Sequence, residues 1–291
     1  MSFIIEQALR GIRCDRSLLL AGVSSNRQIY SEEVYTIPDM QVTITPLTAK
    51  AAETQVLWLV ESGFSQTQPA IFKKIEHVIM SHNEIELALI IIINEQTKYV
   101  PPAENSAAWN QTCLEKSVRS YSDFAPLRTP DKLFGPVGAI GHAWIDISSI
   151  EYSVWLKPTG AQHINMAADP TASGTLFPDL NMEEVGQALS RGVDLVKAAM
   201  CCTLDLIEPS VNHQHLLTPT ALEFEWGTEY SFMSHSIYKT AYFRYFEWYR
   251  HHFSGTKHHR ADSPTEGIES ARPSTKRAYG NVSSSESRVQ K

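Results

Sequence analysis

Asp39 and Glu61 are the residues whose type and setting could do chemistry. Pro38 and Asp39 stand at the start of a segment in which Val42 and Ile44 alternate with Gln41, Thr43 and Thr45, the pattern of a half-buried strand. Glu61 follows residues 56–60, an apolar run that reads as a central strand covered on both faces and ending at the glutamate. Two carboxylates at the ends of neighbouring strands can share a divalent cation, because hard cations prefer oxygen ligands. A cation held there activates water and offsets charge on a phosphodiester under attack. Asp39 equally suits a turn cap after Pro38. Glu61 favours a site role more strongly, since a charged residue is seldom buried without a partner.

These residues need a frame to position them. Residues 2–12 carry Ile4, Ile5, Ala8, Leu9 and Ile12 at helical spacing. Residues 18–23, 29–35 and 41–45 read as strands. Pro69, tolerated in a first turn, helps start a helix that runs to about Ser81, with Ile71, Ile75, Val78 and Ile79 on one face. Residues 85–93 form a second buried strand, closed by Asn94, Glu95 and the pair Pro101 and Pro102. Consecutive buried strands flanking a helix imply a right-handed crossover in a mixed sheet. The expected unit is an α/β core over residues 1–102.

Pro38 and Asp39, then Glu61, Ser62 and Gly63, set on this αβββαβ order, resemble the PD-(D/E)XK, or restriction-endonuclease-like, nuclease superfamily. The wider string from Val60 to Gln66 resembles a divergent eukaryotic branch of it. The resemblance implies an α/β (α+β) fold with a restriction-endonuclease-like core, Mg²⁺ held by Asp39 and Glu61, and hydrolysis of DNA. It also implies a lysine two residues beyond the glutamate. Here the chain departs from the pattern, because that position is Gly63, which has no side chain to orient water. Within the superfamily the lysine sometimes moves to the following helix. At ~100° per residue, Lys74 lies about 60° from Ile71, at the edge of the buried face, whereas Lys73 lies about 160° away, towards solvent. Lys74 is therefore the expected substitute, with Gln66 as a polar second, although Lys74 also suits an ordinary solvated lysine. Glu95 and Glu32 or Glu33 could add ligands. The alternative is a nuclease fold that has lost its chemistry and serves as a scaffold or protein-interaction module.

The rest of the chain reads as follows. Residues 103–134 are polar and irregular, a connection. Residues 135–253 form an α+β extension or second domain: strands over 139–147, 152–156 and 222–226, a helix opened by Asn181 with Val185, Leu189, Val193, Val196 and Met200 facing the core, and an aromatic helix over 238–253. That region could bind a protein partner through its Trp and Tyr surface. Its basic residues Lys239, Arg244 and Arg250 are expected to stay in water while the rings pack inward. Residues 254–291 are rich in Ser, Thr, Lys, Arg and Pro and are expected to be a disordered tail.

The net charge of −7 is uneven. Residues 254–291 carry seven basic and four acidic residues, so +3, which leaves −10 for the remainder. An acidic body argues against tight sequence-blind binding of duplex nucleic acid unless metal ions offset it locally. The four cysteines fall into no ligand spacing, and reduced thiols with an intracellular location, cytoplasmic or nuclear, are the default. No segment reaches the ~20 apolar residues of a membrane span, and no signal peptide is read at the N-terminus. His213 and His215, with His251 and His252, lack acidic or cysteine partners at zinc-ligand spacing.

Overall fold

Strict alternation along the central strands builds a sheet with two apolar faces. The computed structural model describes residues 2–30, 35–48, 53–64, 68–115, 117–126, 133–219 and 224–253. In chain order the elements are α1 (Ser2–Gly11), β1 (Leu19–Ser25), β2 (Ile29–Tyr30), β3 (Tyr35–Thr36), β4 (Met40–Pro46), β5 (Gln55–Phe64), α2 (Gln68–Ser81) and β6 (Leu87–Glu95). Then come α3 (Ala107–Glu115), β7 (Val137–Ala139), β8 (His142–Ile145), β9 (Ile147–Leu156), β10 (Ala172–Phe177), α4 (Glu183–Ile207), a 3₁₀ turn (Gln214–Leu217) and α5 (Trp226–Phe253).

Six strands form one sheet in the order β1-β4-β5-β6-β9-β10. Only β5 and β6 run parallel, joined by α2; every other neighbouring pair is antiparallel. This is a mixed α/β fold with a mostly antiparallel sheet. On β6, Leu87, Leu89, Ile91 and Ile93 join one buried cluster with residues of α1, α4 and α5. Ala88 and Ile90 join a second cluster with Ile71, Ile75, Val78 and Ile79 of α2. Period-two alternation thus places successive side chains in different layers, and coverage on both sides explains why β5 and β6 are apolar throughout. The expected core face of α4, including Val185, Leu189, Val193, Val196 and Met200, is buried. Gly192 lets α4 sit close to the sheet: a Cβ there would lie 2.7 Å from the Trp58 ring and 2.5 Å from Leu87 Cδ1.

Several expectations are corrected. The strand over 29–35 is instead the two short arms of a hairpin, β2 and β3. The strand at 56–60 does not end at Glu61; β5 continues to Phe64 because β6 pairs alongside it up to Ile93. The connection at 103–134 contains α3, whose first turn is capped by the Ser106 hydroxyl accepting from Trp109 N–H. The strand at 139–147 is broken by a tight turn in which Ile140 and Gly141 both have positive φ, separating β7 from β8. Phe224 and Glu225 are not in a strand, and α5 begins at Trp226 rather than at 238. Residues 222–223, like Glu32, Glu33, Gln66 and 254–291, lie outside the described residues. Between separate domain and extension, pairing answers for residues 135–253: β9 runs antiparallel to the length of β6 and continues the first sheet. Among the described residues no helix is long and apolar enough to cross a membrane.

Candidate metal and acid–base site

Asp39 immediately precedes β4, and continuing the register of Met40 against Val60 sets it opposite Glu61. Its carboxylate fills the gap beside β5 where β4 has ended. Oδ2 accepts the backbone N–H of Ser62 at 2.7 Å and also the Ser62 hydroxyl. Asp39 thereby satisfies a strand donor that has lost its ladder partner.

From Glu61 onward β5 alternates between two layers. Glu61 and Gly63 face α2, whereas Phe64 packs against Arg244 of α5. Glu61 is only 5% exposed. Its Oε1 accepts from Lys74 Nζ at 2.5 Å, and the same ammonium donates to the Ile37 carbonyl at 2.9 Å. Its Oε2 is buried and has no hydrogen-bond partner among the described residues. The structure therefore brings Asp39, Glu61 and Lys74 together, while Lys73 is exposed.

Burial raises the Glu61 carboxyl above its ordinary range; the Lys74 hydrogen bond opposes this, the Asp39 charge adds to it and the Lys74 charge opposes it. A raised folded-state pKa means that the folded chain keeps a proton which the unfolded chain releases. The associated stability is present below the unfolded value, about pH 4, and is lost as pH rises through the folded one. Glu61→Gln cannot lose that proton. Its Tm is expected to pull ahead of the wild type between about pH 4 and pH 7. A variant less stable than wild type at pH 7 would show instead that the Glu61–Lys74 pair serves stability.

Gly63 is glycine for a packing reason. A Cβ there would lie 2.2 Å from Ile71 Cδ1 and 3.3 Å from Ile92 Cδ1. The α2 core side chain Ile71 thus occupies the space that a lysine at this position would need. Gly63→Ala is expected to cost about 1–3 kcal/mol in urea unfolding, the usual cost of overpacking, and Gly63→Lys more. A negligible loss for Gly63→Ala would mean that Ile71 turns aside freely.

Glu95 does not join the site. Its carboxylate is held by the Arg244 guanidinium, Nη1 at 2.5 Å from Oε1 and Nη2 at 2.9 Å from Oε2. Arg244 is also a correction, since it is drawn into the core whereas Lys239 and Arg250 stay exposed. Ser62 and the Ile37 carbonyl were missed as site groups; a hydroxyl beside a glutamate and a backbone oxygen carry no spacing signal.

For a divalent cation the donor set fits. The Asp39 bonds both fall on Oδ2, and Lys74 engages Oε1 of Glu61. Oδ1 of Asp39 and the orphaned Oε2 of Glu61 are then the hard oxygens that a cation could take. Mg²⁺ commonly rests on one or two carboxylates and keeps several waters. Among the described residues no group of three or more His, Cys, Asp and Glu could hold a metal, so these two carboxylates would be the protein's share. In comparisons with known proteins, the chain matches no family model, no curated protein and no solved structure.

Proposed function

We propose that the protein is a metal-dependent phosphodiesterase of the PD-(D/E)XK kind, hydrolysing DNA with Asp39 and Glu61 as Mg²⁺ ligands and Lys74 in the role that Gly63 cannot fill. Glu61 carries this reading: a buried carboxylate with one oxygen on Lys74, the other without a partner, and a second carboxylate alongside. The element order α1, β1, β4, β5, α2, β6, with only β5 and β6 parallel, supports a restriction-endonuclease-like αβββαβ core into which the β2–β3 hairpin is inserted.

The cation, when bound, would supply an acidified water and positive charge for the phosphate oxygens. Lys74 has three N–H donors. Two are used on Glu61 and the Ile37 carbonyl, which hold the ammonium in place. The third remains to donate to the attacking water or to a phosphate oxygen. Ser62, through its N–H and hydroxyl, fixes the Asp39 carboxylate so that it need not reorganise when it binds.

The test is incubation of the purified full-length chain with single- and double-stranded DNA in Mg²⁺ or Mn²⁺, beside Asp39→Ala and Glu61→Ala. Metal-dependent cleavage that both variants lose is expected; equal traces in wild type and variants would sink the proposal. A second reading, a nuclease fold kept as an interaction scaffold, draws on Ile71 filling the lysine position and on the acidic charge outside residues 254–291. It expects no cleavage.

A further inference from the structure

A cavity of about 480 Å³ lies between the sheet and the first turns of α5. That volume is in the range of small-molecule sites, about 300–1,000 Å³. Its floor is apolar: Met40 of β4, Val60 of β5, and Ile91 and Ile93 of β6, all on the sheet face away from α2. Its wall is a single stripe of α5, Glu229, Phe232, Met233 and Ser236, spaced i, i+3, i+4, i+7. Asp39 and Ser62, joined by their hydrogen bond, line the same space.

Two of these side chains are unusual for a simple packing contact. Phe232 lines the cavity yet is 57% exposed, which leaves an aromatic ring available there. Glu229 is 4% exposed, and a carboxylate in apolar surroundings is costly to keep. It accepts from the buried Tyr152 hydroxyl at 3.4 Å, a long bond. A flat floor, an exposed ring and a buried acceptor together suit a planar heteroaromatic ligand bearing N–H donors.

We infer that this cavity receives a nucleobase with an amino group (cytosine, adenine or guanine) that stacks on Phe232 and donates to Glu229. The identity of the ring rests on the phosphodiesterase reading: Asp39 is common to the cavity and to the metal pair, so a base lodged here belongs to a nucleotide whose phosphate reaches Asp39. Carboxylates accept from amino groups, as they do from cytosine N4, whereas thymine presents the O4 acceptor, which a carboxylate repels. Stacking on an aromatic ring is tolerant of base type, so Phe232 supplies affinity and Glu229 supplies the discrimination.

The experiment titrates the full-length chain, without metal, with 2′-deoxycytidine, 2′-deoxyadenosine, 2′-deoxyguanosine and thymidine, following the methionine methyl resonances. Saturable shifts at Met40 and Met233 are expected, with thymidine about tenfold weaker or more. Phe232→Ala, a change at an exposed position, should weaken binding of all the nucleosides about tenfold. Glu229→Gln should bring thymidine level with the others. No saturable shift at Met40 and Met233, or equal binding of all four nucleosides by the wild type, overturns the assignment. Cleavage plays no part in this measurement. Amino-base binding without DNA cleavage would therefore remove the phosphodiesterase reading and keep the cavity, and cleavage without nucleoside binding would do the reverse.

Discussion

Lys74→Met is expected to lower metal-dependent DNA cleavage about 100- to 1,000-fold, the usual loss when one preorganised donor to the reacting oxygens is removed. Lys74 is 35% exposed along its side chain, and methionine preserves the apolar stem that lies over α2, so the fold should survive. Metal affinity should hold or rise, because an ammonium beside Glu61 competes with a cation for the same carboxylate. A fall in rate without a fall in metal binding separates a reactive lysine from one that merely orders the site. Lys73→Met, one residue away and exposed, serves as the control and should cleave as the wild type does. Full activity in Lys74→Met would remove lysine from the mechanism and leave the two carboxylates to act alone.

The largest expected loss of stability lies elsewhere. Arg244→Ala should cost about 3–5 kcal/mol, since it leaves the Glu95 carboxylate, 4% exposed, buried without its counter-charge. The guanidinium also donates to the Trp144 carbonyl at 2.9 Å and lies 4.4 Å from the Tyr99 ring centre and 5.1 Å from that of Phe64. Such cation–π contacts add about 0.5–2 kcal/mol. Urea unfolding of the single variant measures the loss. The double variant Glu95→Gln/Arg244→Ala should recover much of it, because the stranded charge is gone. A loss below about 1 kcal/mol in Arg244→Ala would place the pair among weak surface bridges. The pair bears on the site through Phe64, the end of β5, which shares a strand with Glu61.

Much of the frame was legible because its signals are local. The apolar run before Glu61 and the run from Leu87 to Ile93 can only be strands covered on both faces, and each is buried on both. Helical phase put Ile71, Ile75, Val78 and Ile79 on one face of α2 and Lys74 at its edge, and Lys74 does reach Glu61 from that edge. Asp39 and Glu61 were recognisable as neighbours for a similar reason: a short antiparallel return from β4 to β5 brings strand start against strand end.

Other features were decided by partners far along the chain. Where β5 ends depends on β6 running beside it, which no residue near Glu61 encodes. Glu95 looked available as a ligand until Arg244, 149 residues later, closed on it. The cavity beside Asp39 exists only because α5 starts at Trp226 and lays Glu229 and Phe232 over the sheet. Sequence by itself determined the periodic elements and the acidic pair, since periodicity and turn chemistry act over a few residues. Tertiary structure alone decided which oxygens stay free, which charge is consumed by an ion pair and why position 63 is glycine. Those outcomes depend on burial and close packing, which are properties of residues that meet only when the chain is folded.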